Sequence, residues 1–219
     1  MLNRSKLVLA SSSPRRRMLI NLLDVDFSFE SPNIYERPPE IGENPLEYCA
    51  ELAFLKTSEV KKNIDDNRFV LGVDTIVVLD DRIMGKPINA EHAVEMLKLL
   101  RGIRHSVYTA MALTSGINCR VVTQVTSTKV WMRNYSDEEI FTYVSTGDCM
   151  DKAGAYAIQD SEFSPANKID GCYMSVVGLP ICDLIQLLNS TGLLGKVGLK
   201  MMSEDFDQCT YCPLSESIC

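Results

Sequence analysis

The chain lacks several of the patterns that mark common enzyme classes. It has only two histidines, His92 in the first turn of a predicted helix and His105 just before a predicted strand, so a serine–histidine triad lacks support. The phosphate-loop pattern G-x-x-x-x-G-K-[ST] and the dinucleotide-binding pattern G-x-G-x-x-G are both missing. No run approaches the roughly 20 apolar residues that cross a bilayer, and residues 7–10 are too few for the core of a signal peptide. We therefore expect a cytoplasmic protein with no membrane partner.

Positive charge is also in short supply. The 219 residues include 22 lysines and arginines against 29 aspartates and glutamates, which gives a net charge of −7. A nucleic-acid groove needs a broad basic face, so this balance argues against a nucleic-acid partner. A small phosphorylated ligand needs only a few local cations, so the composition still allows one.

Cysteine, in contrast, is plentiful, with eight residues. In a cytoplasmic protein we expect reduced thiols rather than disulfides. Cys209, Cys212 and Cys219 crowd the C-terminal end, where the C-x-x-C spacing could bind zinc, although the sequence indicates no fourth ligand. We expect one globular domain over residues 1–191 and a Cys-containing tail with little structure over residues 192–219.

Predicted strands and helices are mixed along the whole chain. The predicted strands cover residues 7–10, 69–79, 106–114, 121–131, 155–159 and 173–177. The predicted helices begin after the N-capping residues Ser13, Asn44, Asn89 and Ser136, and a last one begins at Pro180. This mixture indicates an α/β (mixed α+β) fold with a mixed sheet.

The segment after the first strand combines serines, a helix start and three arginines. Ser13 is the expected N-cap, and Pro14 is the first helical residue. Residues 15–17 are all arginine, although the partial positive charge of a helix N-terminus disfavours cations. An anion bound there would remove the conflict, because N–H groups, hydroxyls and guanidinium groups could all contact it. We interpret the segment as a phosphate site; the alternative is a solvated basic turn.

Asp74 is the most informative acidic residue, because it lies inside the apolar run FVLGVDTIVVL. An unpaired carboxylate in a buried strand costs several kcal/mol. A metal, a lysine, or hydrogen bonds from Thr75 and the backbone could each compensate it, and the residue pattern leaves these alternatives open.

Three other polar features are ambiguous when each is taken alone. Glu36 lies in a proline-rich loop and Lys86 lies at a hairpin end, where both residue types are usually just solvated. The run DKAGAY at residues 151–156, followed by Gln159, contains small residues that allow a ligand or another backbone to approach closely.

Taken together, these segments resemble the Maf family of nucleoside triphosphate pyrophosphatases, in the order in which the family has them. The similar segments are LASSSPRR (9–16), AFLK (53–56), GVDT (72–75), GKP (85–87), MDKAGAYAIQ (150–159) and VVGLP (176–180). The resemblance implies an elongated fold like that of inosine triphosphatases, with a twisted mixed sheet flanked by helices and an active-site cleft between two lobes. It also implies a homodimer.

The implied reaction is hydrolysis between the α- and β-phosphates of a nucleoside triphosphate, with Mg²⁺, Mn²⁺ or Co²⁺ as the divalent metal. The resemblance implies that Glu36 and Asp74 hold the metal and form the catalytic set with Lys56 and Lys86. Whether Asp74 is the base, a metal ligand or both is open. The implied substrate-binding residues are Ser11, Ser13, Arg15, Arg16, Thr75 and Gln159.

Three of these positions indicate the branch of the family that acts on dTTP and UTP. Arg15, Thr75 and Gln159 resemble that branch, and the amide of Gln159 can pair with a pyrimidine edge. Ala157 and the segment DSEFSP at residues 160–165 depart from the usual glycine-rich pattern. The alternative function is a nucleotide-binding regulator of cell division and septum formation that acts through a protein partner without turnover.

Overall fold

The computed structural model describes residues 6–64, 68–114, 120–191 and 196–200. Over these ranges the chain forms seven strands, which are β1 (Leu7–Ala10), β2 (Phe27–Glu30), β3 (Phe69–Leu79), β4 (Arg82–Met84), β5 (Arg104–Thr114), β6 (Val121–Met132) and β7 (Ala166–Asp170). The α-helices are α1 (Pro14–Ile20), α2 (Pro45–Lys62), α3 (Ala90–Leu100), α4 (Asp137–Ser145), α5 (Tyr173–Val177) and α6 (Ile181–Thr191). Two short 3-10 helices span Asp148–Asp151 and Ala153–Ala155.

One mixed sheet organises the molecule, in the strand order β2-β1-β3-β5-β6-β7, with β4 paired to the end of β3. Strands β2, β1 and β3 are parallel, and the other pairings are antiparallel. On one edge of β3, strand β1 ends opposite Gly72, and β4, which runs in the other direction, ends opposite Val77. No described strand covers residues 73–76 on that edge, so Asp74 and Thr75 border an opening in the sheet. The predicted mixed fold is confirmed.

Side chains of β3 alternate between the two faces of the sheet and join different cores. On one face, Val73 belongs to a core built with β1, α1 and α6, whereas Val77 belongs to a second core built with α3 and α4. Thr75 lies between these two cores. On the other face α2 packs against β3, and it approaches closely at Gly72, where a Cβ atom would lie 2.3 Å from the Ala53 carbonyl oxygen.

The helix starts follow local signals in the sequence. Ser13 caps α1 with Pro14 in its first turn, and the side chains of Asn44 and Asn89 accept backbone N–H groups at the starts of α2 and α3. Ser136 forms a complete capping box in α4. These predicted caps are confirmed.

The strand predicted at residues 155–159 is wrong. The chain there leaves the 3-10 helix Ala153–Ala155, in which Gly154 has a φ of 70°, and continues without a strand partner among the described residues. Ala155, the first residue of the predicted strand, also has a positive φ, of 60°, which breaks the extended backbone that a strand would need.

The strand predicted at residues 173–177 is also wrong, because this segment forms α5. The Cys172 Sγ accepts a hydrogen bond from the Ser175 N–H at 3.4 Å and caps the helix start. The true strand is β7, whose polar sequence ANKID gives little strand signal because it pairs with β6 at the edge of the sheet.

Part of the predicted C-terminal tail packs against the domain. Val197 is buried, its carbonyl accepts a hydrogen bond from Asn189, and Leu199 forms a β-bridge with Leu23. The remaining predictions for the tail, including a zinc site at its cysteines, lie outside the described residues. In the part of the chain that the structure describes, no helix has the length and apolar character needed to span a bilayer.

Candidate active site

A cleft of about 250 Å³ opens where the middle of β3 is left uncovered. All ten residues proposed for the site from the sequence line this cleft: Ser11, Ser13, Arg15, Arg16, Glu36, Lys56, Asp74, Thr75, Lys86 and Gln159. They come from α1, α2, β3 and four loops that are far apart in sequence. The fold therefore brings together every residue of the predicted set.

Lys56 connects the two carboxylates of the site. Its ammonium lies 2.5 Å from Asp74 Oδ1 and 2.8 Å from Glu36 Oε1. Asp74 is 6% exposed and Lys56 7% exposed, so this ion pair is largely removed from water. Among the alternatives that the sequence left open for Asp74, the structure shows a lysine. Burial alone would raise the pKa of Glu36, but the ammonium of Lys56, with that of Lys86, holds this pKa below its ordinary value.

Arg16 is fixed by contacts with β3 and with the turn between α5 and α6. Its Nε donates to the Gly178 carbonyl at 2.9 Å, and its Nη2 donates to Thr75 Oγ1 at 3.1 Å. Its Nη1 lies 3.5 Å from Ser11 Oγ. Burial lowers the pKa of Arg16, and the carboxylate of Asp74 opposes this shift. An arginine stays protonated in proteins, so the cleft contains a pre-oriented cation on its α1 side.

The hydroxyls near the start of α1 already have partners within the protein. Ser13 Oγ accepts the Arg16 N–H at 3.5 Å, and Ser11 Oγ accepts the Ser13 N–H at 3.1 Å. Thr75 Oγ1 lies 3.0 Å from Thr109 Oγ1 on β5. These bonds order the hydroxyls along one wall of the cleft.

Arg15, Lys86 and Gln159 line the remaining walls of the cleft. The guanidinium of Arg15 lies 3.6 Å from the Asp151 carboxylate, which connects α1 to the run DKAGAY. The same run is joined to the Lys86 loop, because the Gly154 N–H donates to the Gly85 carbonyl at 3.0 Å.

Two side chains that line the cleft were not among the predicted site residues. Lys152 is 7% exposed and lines the cleft, with its ammonium 2.9 Å from Asp148 Oδ1 and 2.8 Å from Asp151 Oδ1. Tyr156 also lines the cleft, and its hydroxyl lies 2.7 Å from His105 Nε2. The sequence signal for both was their place in the run DKAGAY. Arg17, in contrast, does not line the cleft and is half-buried, with its guanidinium 3.7 Å from the centre of the Phe29 ring.

The donor atoms of the cleft fit a divalent metal that also contacts a phosphate. The carboxylates of Glu36 and Asp74 both contact the Lys56 ammonium through one oxygen, and each has a second oxygen that does not take part in this contact. No cluster of three or more metal-ligating side chains occurs in the described ranges. Mg²⁺ commonly binds to one or two carboxylates together with substrate phosphates, rather than to an all-protein cage.

Comparisons with known proteins agree with this geometry. The profile of the family described as Maf-like protein matches residues 6–191. A protein of Thermoanaerobacter pseudethanolicus named dTTP/UTP pyrophosphatase is 43% identical over 183 residues, covering 84% of this chain and 95% of the relative. Proteins with the same name from Caldanaerobacter subterraneus subsp. tengcongensis and Geobacter metallireducens are 41% and 42% identical, covering 92% and 87% of this chain and 94% and 98% of the relatives. The chain therefore belongs to the Maf-like protein family.

Proposed function

We propose that this protein hydrolyses dTTP, UTP and modified pyrimidine nucleoside triphosphates to the monophosphate and pyrophosphate, and so removes unwanted nucleotides. The observation that carries this proposal is the placement of Lys56 between Glu36 and Asp74 in a cleft that also holds Arg15, Arg16 and Lys86. The names of the relatives at 41–43% identity support the choice of dTTP and UTP.

The charge distribution of the cleft suits a triphosphate and its attack by water. Phosphoryl transfer depends mainly on positioning and on neutralising charge, and cations on several walls can do both. Water attacks the α-phosphorus, the bond from this phosphorus to the bridging oxygen breaks, and pyrophosphate leaves. In this proposal Asp74 orients the water and accepts its proton, while Arg16 holds the phosphate oxygens from the α1 side.

A divalent metal completes the proposal. Glu36 and Asp74 would hold Mg²⁺, Mn²⁺ or Co²⁺, which supplies positive charge to the phosphate oxygens. The depressed pKa of Glu36 supports this role, because its carboxylate is ionised and ready to bind a cation at neutral pH. The cytoplasmic location and the homodimer implied by the family resemblance belong to the same proposal, and light scattering tests the dimer.

A nucleotide-binding regulator without turnover is the alternative, and the cleft favours it less. A protein that only binds a nucleotide does not need two carboxylates that contact the same lysine ammonium beside a cluster of phosphate-binding cations. Tight nucleotide binding with no product after hours with metal present would support the regulator instead.

The test is an assay of pyrophosphate release from a panel of canonical and modified triphosphates with Mg²⁺, Mn²⁺ and Co²⁺. We expect the highest turnover with dTTP and UTP, and a loss of about 10³-fold in Asp74→Asn. Asp80→Asn is the matched control, because Asp80 is exposed in the turn after β3 and asparagine tolerates its positive φ. Turnover in a folded Asp74→Asn variant equal to that of the control would contradict the role of Asp74.

A further inference from the structure

The loop that carries Glu36 has no regular structure of its own. It spans residues 31–44 between β2 and α2, without a helix or strand. A carboxylate on such a loop can take many orientations, and fixing one of them costs conformational entropy. The 2.8 Å contact between Glu36 and Lys56 therefore needs a device that holds the loop in place.

Arg37, the next residue, makes the contacts that hold this loop. Its guanidinium binds both oxygens of Glu43, with Nη1 2.9 Å from Oε2, and its Nη2 also lies 2.7 Å from Glu51 Oε2. The Tyr48 hydroxyl donates to the Arg37 carbonyl at 2.7 Å. We call these four residues the Arg37 clamp. Arg37 lies in the middle of the loop and Glu43 near its end, whereas Tyr48 and Glu51 belong to α2.

The clamp connects Glu36 to the helix that carries Lys56. Tyr48 and Glu51 lie on α2, and Tyr48 is about two helical turns before Lys56. Tyr48 is 6% exposed and packs in the core under α2, so its hydroxyl is a fixed anchor. The clamp thus joins the backbone beside Glu36 to the same rigid element as the ammonium that Glu36 contacts.

The arrangement is stronger than an isolated surface ion pair. Exposed pairs usually contribute little, but two-pronged arginine–carboxylate contacts and multi-charge networks are the exceptions. The Arg37 guanidinium and the Glu40 N–H lower the pKa of Glu43 to about 2, so Glu43 remains charged at neutral pH.

We propose that Arg37 is a positioning residue, and that the Arg37 clamp holds Glu36 in the orientation in which it binds the divalent metal. This rests on the proposed function, because it concerns the carboxylate assigned there to the metal. Arg37 does not line the cleft, so its effect acts through the loop alone.

The test compares Arg37→Ala and Tyr48→Phe with the control Lys62→Ala, which removes an exposed ion pair with Glu59 on the same helix. We expect both clamp variants to raise the Mn²⁺ concentration for half-maximal activity by about tenfold, as substitutions behind a metal ligand commonly do. The kcat at saturating Mn²⁺ should stay within about twofold of the wild type. The control should change neither value.

Two further measurements do not depend on turnover. Electron paramagnetic resonance of Mn²⁺ with the non-hydrolysable α,β-methylene-UTP should show the same weakening in both clamp variants, and amide hydrogen exchange should quicken at residues 33–41. Unchanged Mn²⁺ affinity and unchanged exchange in both variants would overturn the proposal. Wild-type protein that releases no pyrophosphate would refute the proposed function, whereas Mn²⁺ binding and hydrogen exchange would still decide whether the clamp positions Glu36.

Discussion

Replacing Gly72 with alanine tests whether the close approach of α2 to β3 builds the active site. A Cβ atom at Gly72 would lie 2.3 Å from both the Ala53 carbonyl oxygen and Thr57 Oγ1, where ordinary contacts begin at 3.4 Å. In a close-packed interior, α2 would have to retreat by about 1 Å to accept the methyl group. Thr57 Oγ1 accepts the Gly72 N–H at 2.9 Å and donates to the Ala112 carbonyl at 2.8 Å, so the retreat also strains these bonds.

The expected loss of stability follows from these contacts. Overpacking costs about 1–3 kcal/mol, and each weakened hydrogen bond of Thr57 about 1 kcal/mol. Gly72→Ala should therefore lower the free energy of unfolding by about 3–5 kcal/mol, and the Tm by about 10 °C for a domain of this size. Because Lys56 is on the same helix, the folded variant should also lose about 10²-fold in turnover.

Urea unfolding followed by circular dichroism measures this change. The control is Gly85→Ala, because a Cβ atom at Gly85 meets nothing within 4 Å. We expect the control to stay within about 0.5 kcal/mol of the wild type. Equal urea midpoints for Gly72→Ala and Gly85→Ala would refute the argument that this glycine sets the position of α2.

Two further predictions concern His105 and Arg16. Burial lowers the pKa of His105 from 6.5 to about 4, so the unfolded chain binds the proton first as the pH falls. The free energy of unfolding should thus be greatest above about pH 6.5 and decline by up to about 3 kcal/mol toward pH 4. Urea unfolding of His105→Gln at several pH values should lack this decline. The same decline in both proteins would contradict the prediction. The lysine in Arg16→Lys cannot contact the Gly178 carbonyl and Thr75 together, so the KM for UTP should rise about tenfold. An unchanged KM in steady-state assays would show that the paired contacts of the Arg16 guanidinium are not needed.

Local signals made the first part of the site predictable. Ser13, Pro14 and the apolar strand before them define the turn into α1 through short-range preferences alone, and the structure has the helix there. Asp74 was conspicuous because it is a carboxylate in an apolar strand. Its partner Lys56 was assigned only by resemblance, because 18 residues separate them in sequence and only the packing of α2 on β3 brings them together.

Other features depend on contacts that sequence patterns do not contain. Residues 173–177 include one aromatic and two β-branched residues, which favour a strand. The cap at Cys172 and packing against β5 and β6 nevertheless make this segment a helix. Strand β7 was missed because its polar side chains reflect an edge position. The Arg37 clamp was also not predicted, because in the sequence Glu43 and Glu51 look like ordinary solvated glutamates. Only the packing of the loop against α2 brings them to Arg37.

In the proposed reaction, water attacks the α-phosphorus with the help of a divalent metal and of Asp74. The most direct measurement is UTP hydrolysis in ¹⁸O-labelled water with Mg²⁺ or Mn²⁺, with products identified by mass spectrometry for the wild type and Asp74→Asn. We expect the wild type to form UMP and pyrophosphate, with the label in UMP, and the folded variant to form almost no product. Label in pyrophosphate, formation of UDP and phosphate, or equal turnover by Asp74→Asn would contradict it.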